Sequence, residues 1–561
     1  MTDNEPKAQS TRAVPVLIVG AGPVGQLAAL LLAKQGIASF LIDRRETISS
    51  APKAHAVNPR TLEICASAGL DAEAIRAAGA SANEGGWVRF MGTLSGPEFG
   101  VLPYERQDEG ALADTPFPLT NIPQPDFERV LGHALGEEPL VHFERGIECM
   151  SIRHDADGVE VKLGNVGSGG KEVREFDYVI AADGASSPSR SALGIGMEGP
   201  DALQDYIMIH FEADLRQLTD TRPGVLYFLF DPSTNGVLIA YDRSKTWVLM
   251  HPRDPHTQDI ESFNENECLK LVRAAVGADV PDVKVHNISP WTMSAQIAER
   301  YREGRIFLAG DAAHRFPPTG GLGLNTGAGD AQNIAWKLAA VLRGEAGSAL
   351  LETYEAERRP IAVINSEQSL VNASRIFDLF ADLYGPNPDD IETHYAAICN
   401  DPAAGERLAP SVAAQKPHFD SFNLQLGYRY VSAAVAGADP LPAAADIETS
   451  LFTPSWEPGA RLPHRWVIKD GKPVSLHSLL PSNRFTLVAG PRANGAFDAV
   501  SGAIQRMTVG HDYRDDSFDW TAATGLPEDA ALLVRPDGHI AAHVRDGAEI
   551  VPLMAALLAQ R

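Results

Sequence analysis

Cysteine is scarce: four in 561 residues, Cys65, Cys149, Cys268 and Cys399, with no Cys-x-x-Cys pair and no His/Cys cluster. That excludes a disulfide framework and a zinc centre of the usual spacing; no metal site is expected, and a reducing, cytoplasmic setting is. Basic charge is short as well, with 48 Lys and Arg against 73 Asp and Glu and a formal charge of −25. So acidic a chain is not expected to bind nucleic acid or an anionic membrane surface. Long apolar runs are missing except Val14–Ala33, nearly uncharged and long enough to span a bilayer. Pro15, Pro23, Gln26 and three glycines interrupt it, and the residues before it mix Asp3 and Glu5 with Lys7 and Arg12, unlike a signal peptide. Neither membrane insertion nor export is expected. The remainder is ordinary globular material, 44% hydrophobic and 22% charged, enough for roughly three or four units.

Val16–Val19 is a β-branched run that ends in glycine, as a buried strand does. Val24, Leu27, Ala28, Leu31 and Leu32 then recur at helical spacing, Gly36 stops the helix, and Phe40–Ile42 begins a second strand that ends at Asp43. This is a βαβ unit. Its turn reads Gly20-Ala21-Gly22-Pro23-Val24-Gly25. Gly20 permits the tight turn, Gly22 lets a pyrophosphate approach the backbone, and Gly25 lets helix and strand pack closely. Asp43 is placed to accept hydrogen bonds from the ribose of an adenine dinucleotide.

Residues 177–182 (DYVIAA) form another buried strand, followed by Asp183-Gly184. Strand-like runs between about 200 and 290 predict an inserted antiparallel sheet. Arg305–Ala309 restores the buried-strand pattern and ends in Gly310-Asp311; a glycine-rich loop, Pro317 to Asn325, then opens a helix. Residues 350–415 read as helical, 433–446 as a linker or loop, and the last hundred as a small α/β unit.

Three ordered motifs, GAGPVG at 20–25, DGASSPSR at 183–190 and GDAAHRFPPTGGLGLNTG at 310–327, carry a resemblance. The chain resembles the single-component FAD-dependent aromatic hydroxylases, the class that includes p-hydroxybenzoate hydroxylase and phenol hydroxylase. The resemblance implies an α/β fold in three parts. A Rossmann-like FAD-binding domain is assembled from residues 12–80, 120–195 and 290–370. An antiparallel β-sheet substrate domain comes from 81–119 and 196–289. A helical connection, 371–415, leads to a thioredoxin-like C-terminal domain, 416–561, which has no cysteine and so no thiol–disulfide chemistry.

By the same resemblance, Gly20, Gly22, Gly25 and Asp43 hold the ADP half of FAD, and Gln124 contacts the cofactor. Asp311 binds the ribitol, Leu324 and Asn325 approach the flavin ring through their backbone, and Asp183 is associated with FAD and NAD(P)H. Lys53 stands where the family often has arginine; lysine lacks the bidentate fork, so Arg45 is expected to share the pyrophosphate. No second GxGxxG is present, which fits a transient visit by NAD(P)H.

The chemistry implied is reduction of FAD by NAD(P)H, capture of dioxygen as a flavin C4a-hydroperoxide, and attack on its distal oxygen by the ring of a phenolic or related aromatic substrate. A base at the substrate hydroxyl strengthens that nucleophile. His55 is the candidate base or substrate-orienting group, since it aligns near the active-site aspartate of phenol hydroxylase and imidazole titrates in the useful range. His210, Tyr227, Tyr241 and Arg243 of the sheet, with Pro318 of the loop, are candidate substrate contacts, although strand alternation forbids neighbours from facing one cavity together. Baeyer–Villiger insertion or epoxidation stands as the alternative, with halogenation or a non-catalytic flavoprotein behind it. The resemblance leaves a homodimer open.

Overall fold

β1 (Val16–Val19) is buried at every position, as an unalternating apolar run requires. The computed structural model describes residues 12–49, 51–493, 497 and 504–560, and in it β1 lies inside a six-stranded sheet. The helix that follows, α1 (Pro23–Lys34), leads to β2 (Ser39–Asp43), which pairs parallel with β1. The strand order is Arg302–Glu303, Ile306–Leu308, Tyr178–Ala181, β1, β2, Val141–Arg145. Every pair is parallel except the edge pair formed by Arg302–Glu303. Strands distant in sequence therefore meet in one sheet, and the open crevice at their carboxyl ends is where such sheets bind ligands. A long helix, α2 (Leu322–Leu342), packs against α1 over this sheet.

A seven-stranded sheet stands beside it, ordered Lys284–Met293, Gln204–Glu212, Thr246–Arg253, Gly236–Asp242, Leu226–Leu229, Trp87–Met91, Glu98–Pro103. It is antiparallel apart from Leu226–Leu229, which pairs parallel with Trp87–Met91. The exception follows from connectivity: Trp87–Met91 arrives from an earlier, separate excursion, not through a hairpin. The strand Lys284–Met293 belongs wholly to this sheet and overruns the boundary expected at 289. One sheet face, with Ile207, Ile209, Phe211, Tyr227 and Trp247, is buried against the helix Glu265–Val276. The opposite face carries Met208, His210, Phe228, Val237, Ile239 and Met250, all only partly buried.

α3 (Thr353–Tyr384) runs unbroken across the boundary expected at 370. Its last turns and the helices Ile391–Cys399 and Ala404–Ala413 cover the Trp87–Pro103 end of the large sheet. A four-stranded sheet closes the chain, ordered Ile504–Thr508, Phe485–Ala489, Ala531–Val534, Ile540–Val544, the first pair parallel and the rest antiparallel, with the helix Ile550–Leu557 after it. This is the thioredoxin-like order. Residues 416–454 lie outside this sheet. They cross the FAD-binding part as short helices and irregular chain, and Ala434 and Val435 are buried there. The stretch read as a linker or loop at 433–446 is thus fastened down, with the Ala436 N–H donating to the Ala541 carbonyl at 2.8 Å. Among the described residues no helix is long and apolar enough to cross a membrane.

Candidate FAD and substrate site

Gly20 has φ +102°, and a Cβ there would fall 2.2 Å from the Ala182 carbonyl oxygen. Only glycine fits so tight a crossing. A Cβ at Gly25 would fall 1.9 Å from the Gly20 carbonyl oxygen, so its absence lets α1 sit on the turn; one at Gly22 would meet nothing within 4 Å. Gly22 also serves as the N-cap of α1 without any side-chain cap bond. The first-turn N–H groups and the positive helix end are therefore available to an anion. Asp43 ends β2, accepting from the Ala21 N–H at 2.9 Å and from the Arg45 N–H at 2.8 Å. The Arg45 guanidinium adds Nε and Nη2 bonds of 3.2 and 3.1 Å. Burial opposes the charge of Asp43, but Arg45 and Ala21 outweigh it and hold the pKa below the ordinary carboxylate range.

Across the crevice, the loop before α2 passes through Gly320 at φ +96° and Gly321 at φ +61°, and α2 likewise starts with no side-chain cap. A Cβ at Gly323 would meet nothing within 4 Å, whereas one at Gly327 would fall 2.5 Å from Val24 Cγ2, so α1 and α2 touch there. Two uncapped helix N-termini and side-chain-free backbone at Gly22 and Gly323 fit a dinucleotide whose far ring gains negative charge on reduction. Asp311 is exposed at the mouth, Leu324 is half-buried, and Pro318 is exposed with its carbonyl accepting from the Gly321 N–H at 3.1 Å. Asn325 is spent internally: its Oδ1 accepts from the Asn58 N–H and Thr61 Oγ1, and its Nδ2 donates to the Ala56 and Gly321 carbonyls. That leaves only its backbone for a ligand.

Beneath the loop, buried Asp330 accepts from His314 Nε2 at 2.7 Å, Arg358 Nε at 2.8 Å and the Gly310 N–H at 3.1 Å. His314 therefore props the Gly310 turn. The Asp183 carboxylate accepts from Ser187 Oγ at 2.5 Å and the Ser189 N–H at 2.9 Å, while Arg190 of the same motif donates to the Ala312 carbonyl at 3.0 Å. This motif braces the turn beside the crevice, and its aspartate side chain is engaged locally. Gln124 accepts from the Ala54 N–H at 3.3 Å and donates to Glu128 at 2.8 Å; Lys53 points to solvent.

His55 lies between the two sheets, Nδ1 2.8 Å from Asn121 Oδ1. Its ring centroid is 5.7 Å from that of Tyr104 and 5.8 Å, edge-on, from that of Tyr241. Burial pushes the imidazole pKa below its ordinary value, and the bond to Asn121 only partly offsets this. Tyr241 donates to the Lys53 carbonyl at 2.6 Å. The Tyr104 hydroxyl, close to Gly321, has no hydrogen-bond partner among the described residues. Burial raises both phenols far above their ordinary pKa, so both are neutral.

The remaining substrate candidates divide by face. His210 shares the half-buried face, its ring 5.4 Å from His286. Tyr227 does not: it is fully buried on the opposite face, against Trp247, and its hydroxyl donates to the Arg222 carbonyl at 3.0 Å. Its neighbour Phe228 lies on the half-buried face, as alternation dictates, and packs against Phe90 and Phe419. Arg243 is also withdrawn, since it pairs with Asp220 and Glu84 at 3.1 Å each. Sequence reading missed Tyr104 and Asn121. Asn121 reaches His55 only through the antiparallel pairing of Ala56 with Asn121, which no local pattern announces.

A family described as FAD binding domain matches residues 13–369, and one described as the C-terminal region of aromatic-ring hydroxylases matches 455–559. The chain is 33% identical to tetracenomycin B2 monooxygenase-dioxygenase of Streptomyces olivaceus, over 94% of each chain. It is 32% identical to 2,4-dichlorophenol 6-monooxygenase of Cupriavidus pinatubonensis, over 94% of this chain and 92% of the relative. Among solved structures, the flavin-dependent monooxygenase PieE, in complex with FAD and substrate, superposes with a TM-score of 0.89 at 30% identity, covering 98% of this chain and 99% of that one. The C-terminal match begins at 455, ahead of the four-stranded sheet, whose first strand starts at Phe485. The chain belongs to the single-component FAD-dependent aromatic hydroxylases, and is an FAD-dependent monooxygenase that acts on an aromatic ring.

Proposed function

We propose that this enzyme hydroxylates a fused, phenolic ring system at a carbon ortho or para to a hydroxyl, with NAD(P)H and dioxygen as co-substrates. The observation that carries the reading is the half-buried apolar face of the large sheet, with Met208, Val237, Ile239 and Met250 open across three adjacent strands. Three strands span about 10 Å, more than a single ring needs. One end is closed by Phe228 against Phe419, with ring centroids 5.7 Å apart. The other reading, a single-ring phenol, is favoured by the polar cluster at His55, which asks only for one hydroxyl.

FAD, when bound, supplies the redox chemistry that takes hydride from NAD(P)H and passes one oxygen atom to the substrate. The Gly20 turn and the N-terminus of α1 would hold its pyrophosphate, and the N-terminus of α2 would face the flavin ring. His55 would accept the phenolic proton, raising the electron density of the ring carbons, while Tyr104 would donate to the same oxygen. The apolar wall would keep water from the reacting atoms. The four unpaired cysteines support a cytoplasmic setting; a homodimer rests on family resemblance and is read by sedimentation. The test is substrate-stimulated NAD(P)H oxidation across single-ring and fused phenols, followed by product identification. Higher kcat/KM for fused phenols and a hydroxylated product are expected. Preference for single rings would overturn the substrate class, and an ester, lactone or epoxide would overturn the reaction.

A further inference from the structure

We propose that Asn121 is a positioning residue that fixes His55 in the Nδ1–H tautomer and so presents an unprotonated Nε2 to the substrate hydroxyl. This rests on the reading of His55 as the base. Asn121 sits in the short strand Thr120–Asn121, paired antiparallel to Ala56–Val57, directly after His55. The residue is 3% exposed. The amide Nδ2 donates to the Gly85 carbonyl at 3.0 Å. A carbonyl can only accept, so the end of the amide facing Gly85 must be the NH2 group. The opposite end, Oδ1, can only accept, and it lies 2.8 Å from His55 Nδ1. That nitrogen must therefore carry the hydrogen. A neutral imidazole has one N–H, so the lone pair belongs to Nε2.

The surroundings keep Asn121 in this orientation. A Cβ on Gly85 would fall 3.1 Å from Asn121 Nδ2, and one on Gly79 would fall 2.7 Å from the Asn121 carbonyl oxygen. That carbonyl accepts from the Ala80 N–H at 2.8 Å, so backbone and side chain are both pinned. Tyr104 and Tyr241 flank the imidazole, as given above. The charged groups on the surrounding segments are engaged or exposed: Glu84 pairs with Arg243, the Glu105 carboxyl accepts from Ser421 and Gln425, and Lys53 points to solvent. Among the described residues His55 Nε2 has no hydrogen-bond partner.

The proton step balances within the site. The phenolic O–H bond breaks, an N–H bond forms at Nε2, and the electron pair left on oxygen enters the ring. The resulting imidazolium still donates from Nδ1 to Asn121 Oδ1. A neutral amide stabilises that cation less than a carboxylate would, so the base remains unprotonated near neutrality. An aspartate at this position would hold the proton harder.

The experiment uses the FAD-loaded full chain with Asn121→Asp and Asn121→Leu, and His55→Gln as reference. The tautomer is read by nitrogen-15 NMR of labelled histidine, the His55 signal being the one lost in His55→Gln. The second readout is the pH profile of kcat/KM. Expected are an Nδ1–H signal in the parent, a shift of the acidic limb upward by about one pH unit in Asn121→Asp, and a loss of about tenfold or more in kcat for Asn121→Leu with the hydrogen moved to Nε2. If His55→Gln leaves the acidic limb in place, the base assignment itself fails. If His55→Gln removes the limb but the parent carries its hydrogen on Nε2, or Asn121→Leu keeps the Nδ1–H signal, the role of Asn121 alone is overturned. The parent's own nitrogen-15 signal decides the tautomer even if neither Asn121 variant folds: hydrogen on Nε2 in the parent would overturn the proposal.

Discussion

Arg535 in the C-terminal unit and Glu357 on α3 form a fully buried bidentate pair, with N···O distances of 2.7 and 2.9 Å. Glu357 also accepts from Lys337 Nζ at 2.7 Å and Asn333 Nδ2 at 2.6 Å. Arg535 holds Asp537, whose carboxylate accepts from Trp336 Nε1 at 3.1 Å. A second buried pair, Arg461 with Glu63, fastens the same unit to the helix Pro59–Ser67. The thioredoxin-like part is thus clamped onto α2 and α3, behind the flavin loop.

Removing one partner of such a pair strands the other in a dry interior. Arg535→Met should therefore cost about 3–5 kcal/mol, although Lys337 still faces Glu357. Urea denaturation checks this: an unchanged midpoint would mean that the clamp is dispensable.

The two glycines of the first turn should fail in different ways. At Gly25 an added Cβ meets backbone at 1.9 Å, so Gly25→Ala should unfold the turn and lower Tm. At Gly22 it meets open space, so Gly22→Val should leave Tm nearly intact and weaken FAD binding by roughly tenfold or more. Flavin titration alongside thermal melts separates the two.

His55→Ala should lower hydroxylation at neutral pH by about 10²-fold. Because burial depresses the imidazole pKa, the parent enzyme should stay active down to pH values below His55's ordinary range and lose activity only as the ring protonates. In the variant that limb disappears, and rates recover at high pH as the substrate ionises unaided. An unchanged profile would remove His55 from the chemistry.

Tyr104 and Asn121 mark where sequence reading stopped. The βαβ unit and the loop before α2 were legible because local spacing alone writes them: apolar period, glycine turn, terminal acid. Tyr227 and Phe228 are adjacent and both aromatic, so only the strand register says which one lies on the half-buried face. Asn325 was read as a backbone contact, and its side chain proves to be a tie between α2 and the Ala56 strand. Asp183, associated by the resemblance with FAD and NAD(P)H, has its carboxylate held by its own helix turn. Residues 416–454 carry no sequence period, so the short helices and irregular chain that they form are not legible in the sequence.

Glu105, next to Tyr104, should make stability pH-dependent. It adopts φ +54°, its N–H donates to the Phe419 carbonyl at 2.7 Å, and its carboxyl accepts from Ser421 Oγ at 2.7 Å and Gln425 Nε2 at 2.9 Å. Burial raises its pKa to about 7, against the bonds from Ser421. A folded-state pKa above the unfolded value favours the protonated form, so this contribution is present at low pH and lost as pH rises through about 7. Glu105→Gln should flatten the fall in stability between about pH 6 and 8, on the order of 1–2 kcal/mol. Parallel slopes in denaturation series at the two pH values would contradict it.

Oxygen transfer to an aromatic carbon is the claim on which the whole reading turns. The direct measurement is product mass spectrometry after turnover with FAD, NAD(P)H and a fused phenol under isotopically heavy dioxygen. One heavy oxygen on a ring carbon ortho or para to the original hydroxyl, and none from heavy water, is the expected result. Consumption of NAD(P)H that yields only hydrogen peroxide with every phenol offered, or a heavy oxygen inserted into a carbon–carbon bond, would contradict it.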